Sequence, residues 1–270
     1  MRKLAGKIIS KIWFSLKLRA RVAAISESGE ILSVFFHRPN IVEFEKWINW
    51  CTNKGFEFIS SVDLGNILDK GIKTGKKQIW LTFDDGWRNN YTEVLPVLKK
   101  YNVPATIFVS TNLINDGVFW LELARLNQNI LPIPANELKL KSEADRNDIL
   151  DKLKQHTKFK QMDREFMTWE ELSSINENSL ISIANHTHNH VICVNCTYAE
   201  LDEEIKLSET LLDKYCPGHI SFFAYPNGDF NNNTQSYLID KFDLIALVGN
   251  NNTNFEADKK AITRTVSYTH

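Results

Sequence analysis

The chain has 270 residues, with 32 Lys plus Arg against 33 Asp plus Glu and a formal net charge of −1. With no basic excess to meet phosphates, composition argues against nucleic acid as a partner. A hydrophobic fraction of 43% supplies a full core, in a length that suits one large domain or two small ones.

In chain order, residues 1–28 form a basic lead in which Lys7, Lys11 and Lys17 interrupt a run of Ile, Trp, Phe and Leu. That run is too broken for a transmembrane helix or a signal-peptide core. It reads as an amphipathic helix, lying on an anionic membrane surface or packed on the domain. The rest of the chain, 29–270, reads as one domain. No other segment is apolar for long enough to span a bilayer. Cys51, Cys193, Cys196 and Cys216 read as reduced thiols, because Cys193-Val-Asn-Cys196 lacks a second pair or a thioredoxin-like setting. The expected location is cytoplasmic, with peripheral contact at the inner membrane face through the basic lead.

Strands are expected over 30–36, 56–60, 78–83, 104–110, 180–184, 220–224, 244–248 and 262–266, all short, apolar and rich in β-branched or aromatic residues. Helices are expected between them, notably 42–51 with Phe44, Trp47 and Ile48 on one face, 91–100, and 198–214. The more polar stretch at about 113–172 reads as a helical insertion. Alternating strands and amphipathic helices imply parallel βα units, closed into an imperfect (β/α) barrel of seven or eight mostly parallel strands, an α/β fold.

Polar clusters follow Phe36, Phe83, Ala184 and Ala224, each at the carboxyl end of an expected strand. Chemistry in such folds gathers at that end, so one shared site is implied. The strand at 78–83 stops on Asp84, Asp85 and Gly86. Two adjacent carboxylates repel and are costly to desolvate unless positive charge sits beside them. His186 and His190, four apart, can present both imidazoles to one divalent ion. With one of the two carboxylates they make a two-nitrogen, one-oxygen set that leaves a position for water. The other carboxylate then stays free to take a proton from that water. The loop Tyr225-Pro-Asn-Gly228 offers backbone N–H groups to an oxyanion.

Thr82-Phe-Asp-Asp-Gly86, His186-Thr-x-x-His190 and Phe223-Ala-Tyr-Pro-Asn-Gly228, in this order, resemble three signatures of the polysaccharide deacetylase family. Supporting text lies at 94–109 and 168–172, and the resemblance runs from about Phe36 to the last strand. It implies that Asp84 is the general base, that Asp85, His186 and His190 hold the ion, and that Asn227 supplies an oxyanion-hole N–H. Tyr225, Asn227 and Trp87 are the candidate substrate-side residues. The implied cofactor is one divalent ion, Zn2+ first and Co2+, Ni2+ or Fe2+ next. The implied reaction is hydrolysis of N-acetyl, secondarily O-acetyl, groups on an N-acetylated sugar or polysaccharide. Members with a short basic lead resemble enzymes of surface-polysaccharide assembly.

The chain departs from the family pattern in two places. Ala224 stands where many members carry an Arg that braces the base, and no late Leu-x-x-His supplies a general acid. If the barrel closes, His37 after the first strand becomes a candidate acid, with His188 as its rival, and Arg264 in the last strand becomes a candidate brace. Two other readings stand beside deacetylation: a catalytically silent carbohydrate-binding barrel, and a metal-dependent amidohydrolase acting on a non-sugar substrate.

Overall fold

A computed structural model describes residues 31–71, 75–156, 163–249 and 260–266. The basic lead at 1–28 lies outside the described residues. The strands are β1 (Ile31–Phe36), β2 (Glu57–Ile59), β3 (Gln78–Phe83), β4 (Ala105–Val109), β5 (Ile181–Asn185), β6 (Phe222–Ala224), β7 (Leu244–Val248) and β8 (Ala261–Val266). All named pairings are parallel, running β1–β8–β7–β6–β5–β4–β3 and back to β1, so seven strands close a barrel. β1 takes one whole edge of β3, from Ile31 opposite Gln78 to Phe36 opposite Phe83. The other edge of β3 is shared, with β2 beside residues 78–80 and β4 beside residues 82–83.

Strands that pack helices outside and a filled barrel inside are buried on both faces, which is why every residue of β1 and β3 is buried and only Ser33, Gln78 and Thr82 interrupt their apolar sequence. Alternation still decides what faces where. Ile79, Leu81 and Phe83 join the outer layer with Phe44, Ile48 and Leu98. Trp80 joins the inner cluster with Phe108, Ala184, Phe222, Ala224, Ala246 and Ile262. Small alanines opposite large rings let the interior fill without strain. The Trp80 indole donates to Thr106 Oγ1 at 3.0 Å, so the one polar atom of that ring is satisfied.

The first helices are locally encoded. α1 (Ile41–Asn53) is capped by Asn40, whose side chain accepts from the Glu43 amide. α2 (Ser61–Lys70) begins with a Ser60/Asp63 capping box and ends at Gly71 with φ +59°. The helix expected at 91–100 instead opens as a π turn, Asn90–Val94, before α3 (Leu95–Tyr101). Pro96 has no N–H to give, and the Leu95 N–H reaches back to Asn90 O.

Between β4 and β5 lie α4 (Thr111–Asp116), α5 (Trp120–Leu126), a 3-10 turn (Ala135–Leu140), α6 (Glu143–His156) and α7 (Trp169–Asn176). Trp120, Leu121, Leu138, Leu150 and Leu153 give this stretch its own small apolar cluster. α8 (Tyr198–Tyr215) carries a Thr197/Glu200 capping box and packs along β5, and α9 (Asn232–Ile239) precedes β7. Among the described residues no helix is long and apolar enough to cross a membrane, and all four cysteines are free thiols.

Candidate active site

The alternation that sends Trp80 inward also turns Thr82 and, just past the strand, Asp84 toward the barrel interior. Asp84 N donates to Phe36 O at 2.9 Å, which fixes the end of β3 against the end of β1. On β8, Ile262 and Arg264 share the inward face. Arg264 is fully buried, its guanidinium lying over Phe35 at 4.8 Å and over Phe108 at 4.9 Å. Its Nη1 donates to Asp84 Oδ1 at 2.6 Å and to Thr82 Oγ1 at 3.0 Å, and its Nη2 donates to Asp84 Oδ2 at 3.0 Å. The planar fork thus meets the carboxylate at two points in a buried site, the geometry in which Arg serves far better than Lys.

Asp85 turns the other way, at φ +75°. Its Oδ2 accepts from the Trp87 indole at 2.9 Å, and His37 Nε2 lies 3.9 Å from the same oxygen. Its Oδ1 is buried without a hydrogen bond and faces His186 Nε2 at 3.3 Å and His190 Nε2 at 3.1 Å. His186 Nδ1 sits 2.7 Å from Ala224 O, an atom that can only accept, so Nδ1 carries the proton and, with Nε2 unprotonated, the ring aims a lone pair at Asp85. Acceptors converging on one point call for a cation between them. The separations match the edges, about 3.3 Å, of a tetrahedral set with bonds of about 2.0–2.1 Å. Among the described residues this is the one Asp/His/Cys/Glu group that fits a metal ion.

The electrostatics agree. Burial alone would push the Asp85 carboxyl up, but His37 and His190 outweigh it and hold the group well below the usual carboxylate range. Burial lowers His190, against the upward pull of Asp85, which favours the neutral ring a metal needs.

Backbone strain concentrates here. Of the non-glycine residues with positive φ, Asp85, Thr187, His190 and Asn227 all belong to these strand-end loops, and Asn102 is a helix cap. Such conformations persist where the surroundings over-determine them, and they cluster at functional sites. In the 225–228 turn, Gly228 has φ +78°, and a Cβ there would come within 2.9 Å of Val248 Cβ, so only glycine fits.

The remaining expected residues are placed unequally. Asn227 lies in the turn at φ +61°, with its side chain accepting from Lys139 Nζ at 2.7 Å. Tyr225 was expected on the substrate side, but its side chain is buried, with its ring against Phe223 and Phe230. The large aromatic face of Tyr225 is drawn into the cluster of Phe223, Leu238, Phe242 and Ile245. Trp87 lies against Phe166, and its polar atom is taken by Asp85. His188 is 2.8 Å from Thr111 Oγ1 through Nδ1, outside the Asp/His/His cluster.

Sequence reasoning missed Glu204, buried at 3% exposure, and Lys139, which ties the stretch between β4 and β5 to the Asn227 turn. A signal existed for the first: Leu201, Glu204, Ile205, Ser208 and Leu212 share one buried helix face, and a carboxylate there is out of pattern.

Comparison with known proteins bears on the same strands and loops. The family described as polysaccharide deacetylase matches residues 71–241. A poly-beta-1,6-N-acetyl-D-glucosamine N-deacetylase of Staphylococcus epidermidis is 26% identical over 197 residues, 70% of this chain and 53% of that protein. Its Staphylococcus aureus namesake is 32% identical over 77 residues, 28% of this chain and 26% of that protein. The chain thus spans about half or less of the length of these curated relatives. Among solved structures, the Streptococcus pyogenes deacetylase PplD in complex with acetate superposes with a TM-score of 0.66 at 18% identity, covering 89% of this chain and 93% of that one. IcaB from Ammonifex degensii gives 0.63 at 17% identity, covering 88% and 91%. At those identities the structural likeness is one of fold, while the sequence match takes in well over half of the residues here, and on that match the chain belongs to the polysaccharide deacetylase family.

Proposed function

We propose that this chain is a metal-dependent hydrolase that removes N-acetyl groups from a polysaccharide. The observation that carries the reading is the pairing of two adjacent carboxylates with opposite surroundings. Asp84 faces a buried guanidinium, and Asp85 faces two histidine nitrogens.

Asp85, His186 and His190 would hold the divalent ion. Bound there, it supplies Lewis acidity that polarises an acyl carbonyl and eases deprotonation of water. Asp84, held in a fixed plane by Arg264, takes the proton of the attacking water. The Asn227 N–H, in a turn preset by its own φ and by Gly228, is the donor for the developing oxyanion. His37, 36% exposed and beside Asp85, is the candidate that returns a proton to the leaving amine. Two relatives carry the name poly-beta-1,6-N-acetyl-D-glucosamine N-deacetylase, which supports an N-acetylated glucosamine polymer as the first substrate class to try. Zn2+ is the first ion to test, because two imidazoles and a carboxylate suit it.

The catalytically silent alternative drew on the Arg missing at Ala224 and on the missing late Leu-x-x-His, and Arg264 on Asp84 bears on the first of these. The test is acetate release from poly-β-1,6-N-acetylglucosamine by wild type and Asp84→Asn, with metal content measured on both. We expect equal metal and a rate lower by about 10²–10⁴ in the variant. No acetate from zinc-loaded wild type, on this polymer and on chitin oligomers alike, would overturn the reading.

A further inference from the structure

We propose that α8 is the positioning element for the metal loop, and that Glu204 and Glu209 on it set the affinity of the loop for its ion. The inference rests on the metal-site reading above and concerns residues outside the Asp/His/His cluster.

The loop 185–191 is unfavourable by itself. Thr187 sits at φ +65° and His190 at φ +53°, and a β-branched residue at positive φ is a true outlier. Strain of this kind needs external restraint. Part of the restraint is local. Thr187 N donates to Asn185 Oδ1 at 2.7 Å, and Val191 N donates to Thr187 Oγ1 at 3.2 Å. Part comes from β4 and α4: Ser110 Oγ donates to His186 O at 2.7 Å, and Asn112 N donates to His188 O at 2.9 Å.

The rest comes from two carboxylates five residues apart on α8, Glu204 and Glu209. Glu204 accepts two hydrogen bonds from Asn189, from its backbone N at 2.7 Å and from its Nδ2 at 2.6 Å. Asn189 directly precedes the ligand His190. Glu209 accepts from Asn185 Nδ2 at 2.6 Å and is itself 3.1 Å from His219 Nε2. Asn185 directly precedes the ligand His186. Each ligand histidine therefore follows an asparagine clamped to the same helix.

Packing does not account for this. Glu204 occupies a core position on α8, between Leu201 and Ile205, where an apolar side chain would fill the space without the cost of desolvating a carboxylate. A carboxylate with both oxygens on one residue acts as a template for that residue's backbone and side chain together. It also places negative charge one residue from a cation ligand.

The experiment compares Zn2+ and Co2+ dissociation constants, by chelator competition on metal-free protein, for wild type, Glu204→Gln, Asn189→Asp and the double variant. Glu204→Gln keeps the shape but turns an amide group toward a donor, and we expect affinity to fall by about 10–100-fold. Asn189→Asp sets two carboxylates face to face and is expected to fall at least as far. In the double variant the amide and the carboxylate change places, the donor–acceptor pattern is restored, and affinity should return to within a few-fold of wild type. The visible spectrum of bound Co2+ should shift in the single variants and recover in the double. Thermal melts of the metal-free proteins separate this from a packing role, which would lower the melting temperature and leave the affinity of the folded protein unchanged. Should Glu204→Gln not fold, Glu209→Gln and the double variant carry the comparison. Equal affinity across folded variants overturns the inference alone, whereas a wild type that takes up no ion overturns the metal-site reading and this inference with it.

Discussion

Arg264 and Asp84 are 180 residues apart in sequence and meet as a two-point ion pair inside the barrel, at 2.6 and 3.0 Å. Removing one partner from such a pair leaves a buried charge, which costs about 3–5 kcal/mol. Arg264→Met should therefore lose stability on that order in a urea titration. Pairing it with Asp84→Asn should recover much of the loss. Arg264→Lys keeps a charge but not the fork, and its kcat is expected to fall by tenfold or more with KM little changed. A single variant as stable as the double would show that the pair is not what holds Asp84.

Trp87 gives its indole hydrogen to Asp85 Oδ2 and stacks on Phe166 at 4.3 Å between centroids. Trp87→Phe keeps the ring contact and deletes the donor. The expected result is a melting temperature within a few degrees of wild type and metal affinity lower by about 10-fold. Unchanged affinity with altered KM would return Trp87 to the substrate side.

His37 lies 3.9 Å from Asp85 Oδ2. Its backbone is tied down, since Asn90 Nδ2 donates to His37 O at 3.1 Å. His37→Ala should lower kcat by about 10²–10⁴ and abolish the alkaline limb of the pH–rate profile. A limb that persists unchanged assigns the proton to another group.

His219 and Glu209 make a pH-dependent contribution to stability. The hydrogen bond to Glu209, against burial, raises His219 above its ordinary value. Burial raises Glu209, but His219 and Asn185 outweigh it and the net shift is downward. A raised histidine stabilises fully below its unfolded value and loses that contribution as pH climbs through the folded one. A lowered glutamate stabilises above its unfolded value and loses that contribution as pH falls through the folded one. His219→Asn should therefore be destabilised most near about pH 6, by on the order of 1 kcal/mol or less, and least near about pH 9. Melts of both proteins across that range check the sign. A gap that widens toward pH 9 would contradict it.

What the sequence made legible was local. Residues 78–83 and 244–248 are strands at the bounds their largely apolar, β-branched and aromatic stretches suggest. The adjacent carboxylates and the histidine spacing pointed to one place because parallel topology sends every strand end to one face. Partnerships across the barrel were harder to read. Nothing near Trp87 says that its nitrogen will find Asp85, since that depends on the αL turn at Asp85. The burial of Tyr225 follows from where α9 and β7 pack, and the clamp from Glu204 to Asn189 from how α8 lies on β5. The shared edge of β3 is equally a tertiary outcome, because β2 is too short to occupy that edge alone.

The position of Arg264 also has a consequence for how the protein is made. Its strand, β8, follows the other strands of the barrel in the chain and joins β1 through the register Val34 to Thr265 and Phe35 to Val266. A nascent chain can assemble every other wall of the barrel while Asp84 still lacks its countercharge. Contacts so distant in sequence are the slow ones to form, since their loop-closure entropy must be met first. The Asp84 carboxylate thus gains its countercharge only at ring closure, and under the proposed function a ribosome-bound chain that has not yet released β8 is expected to be inert.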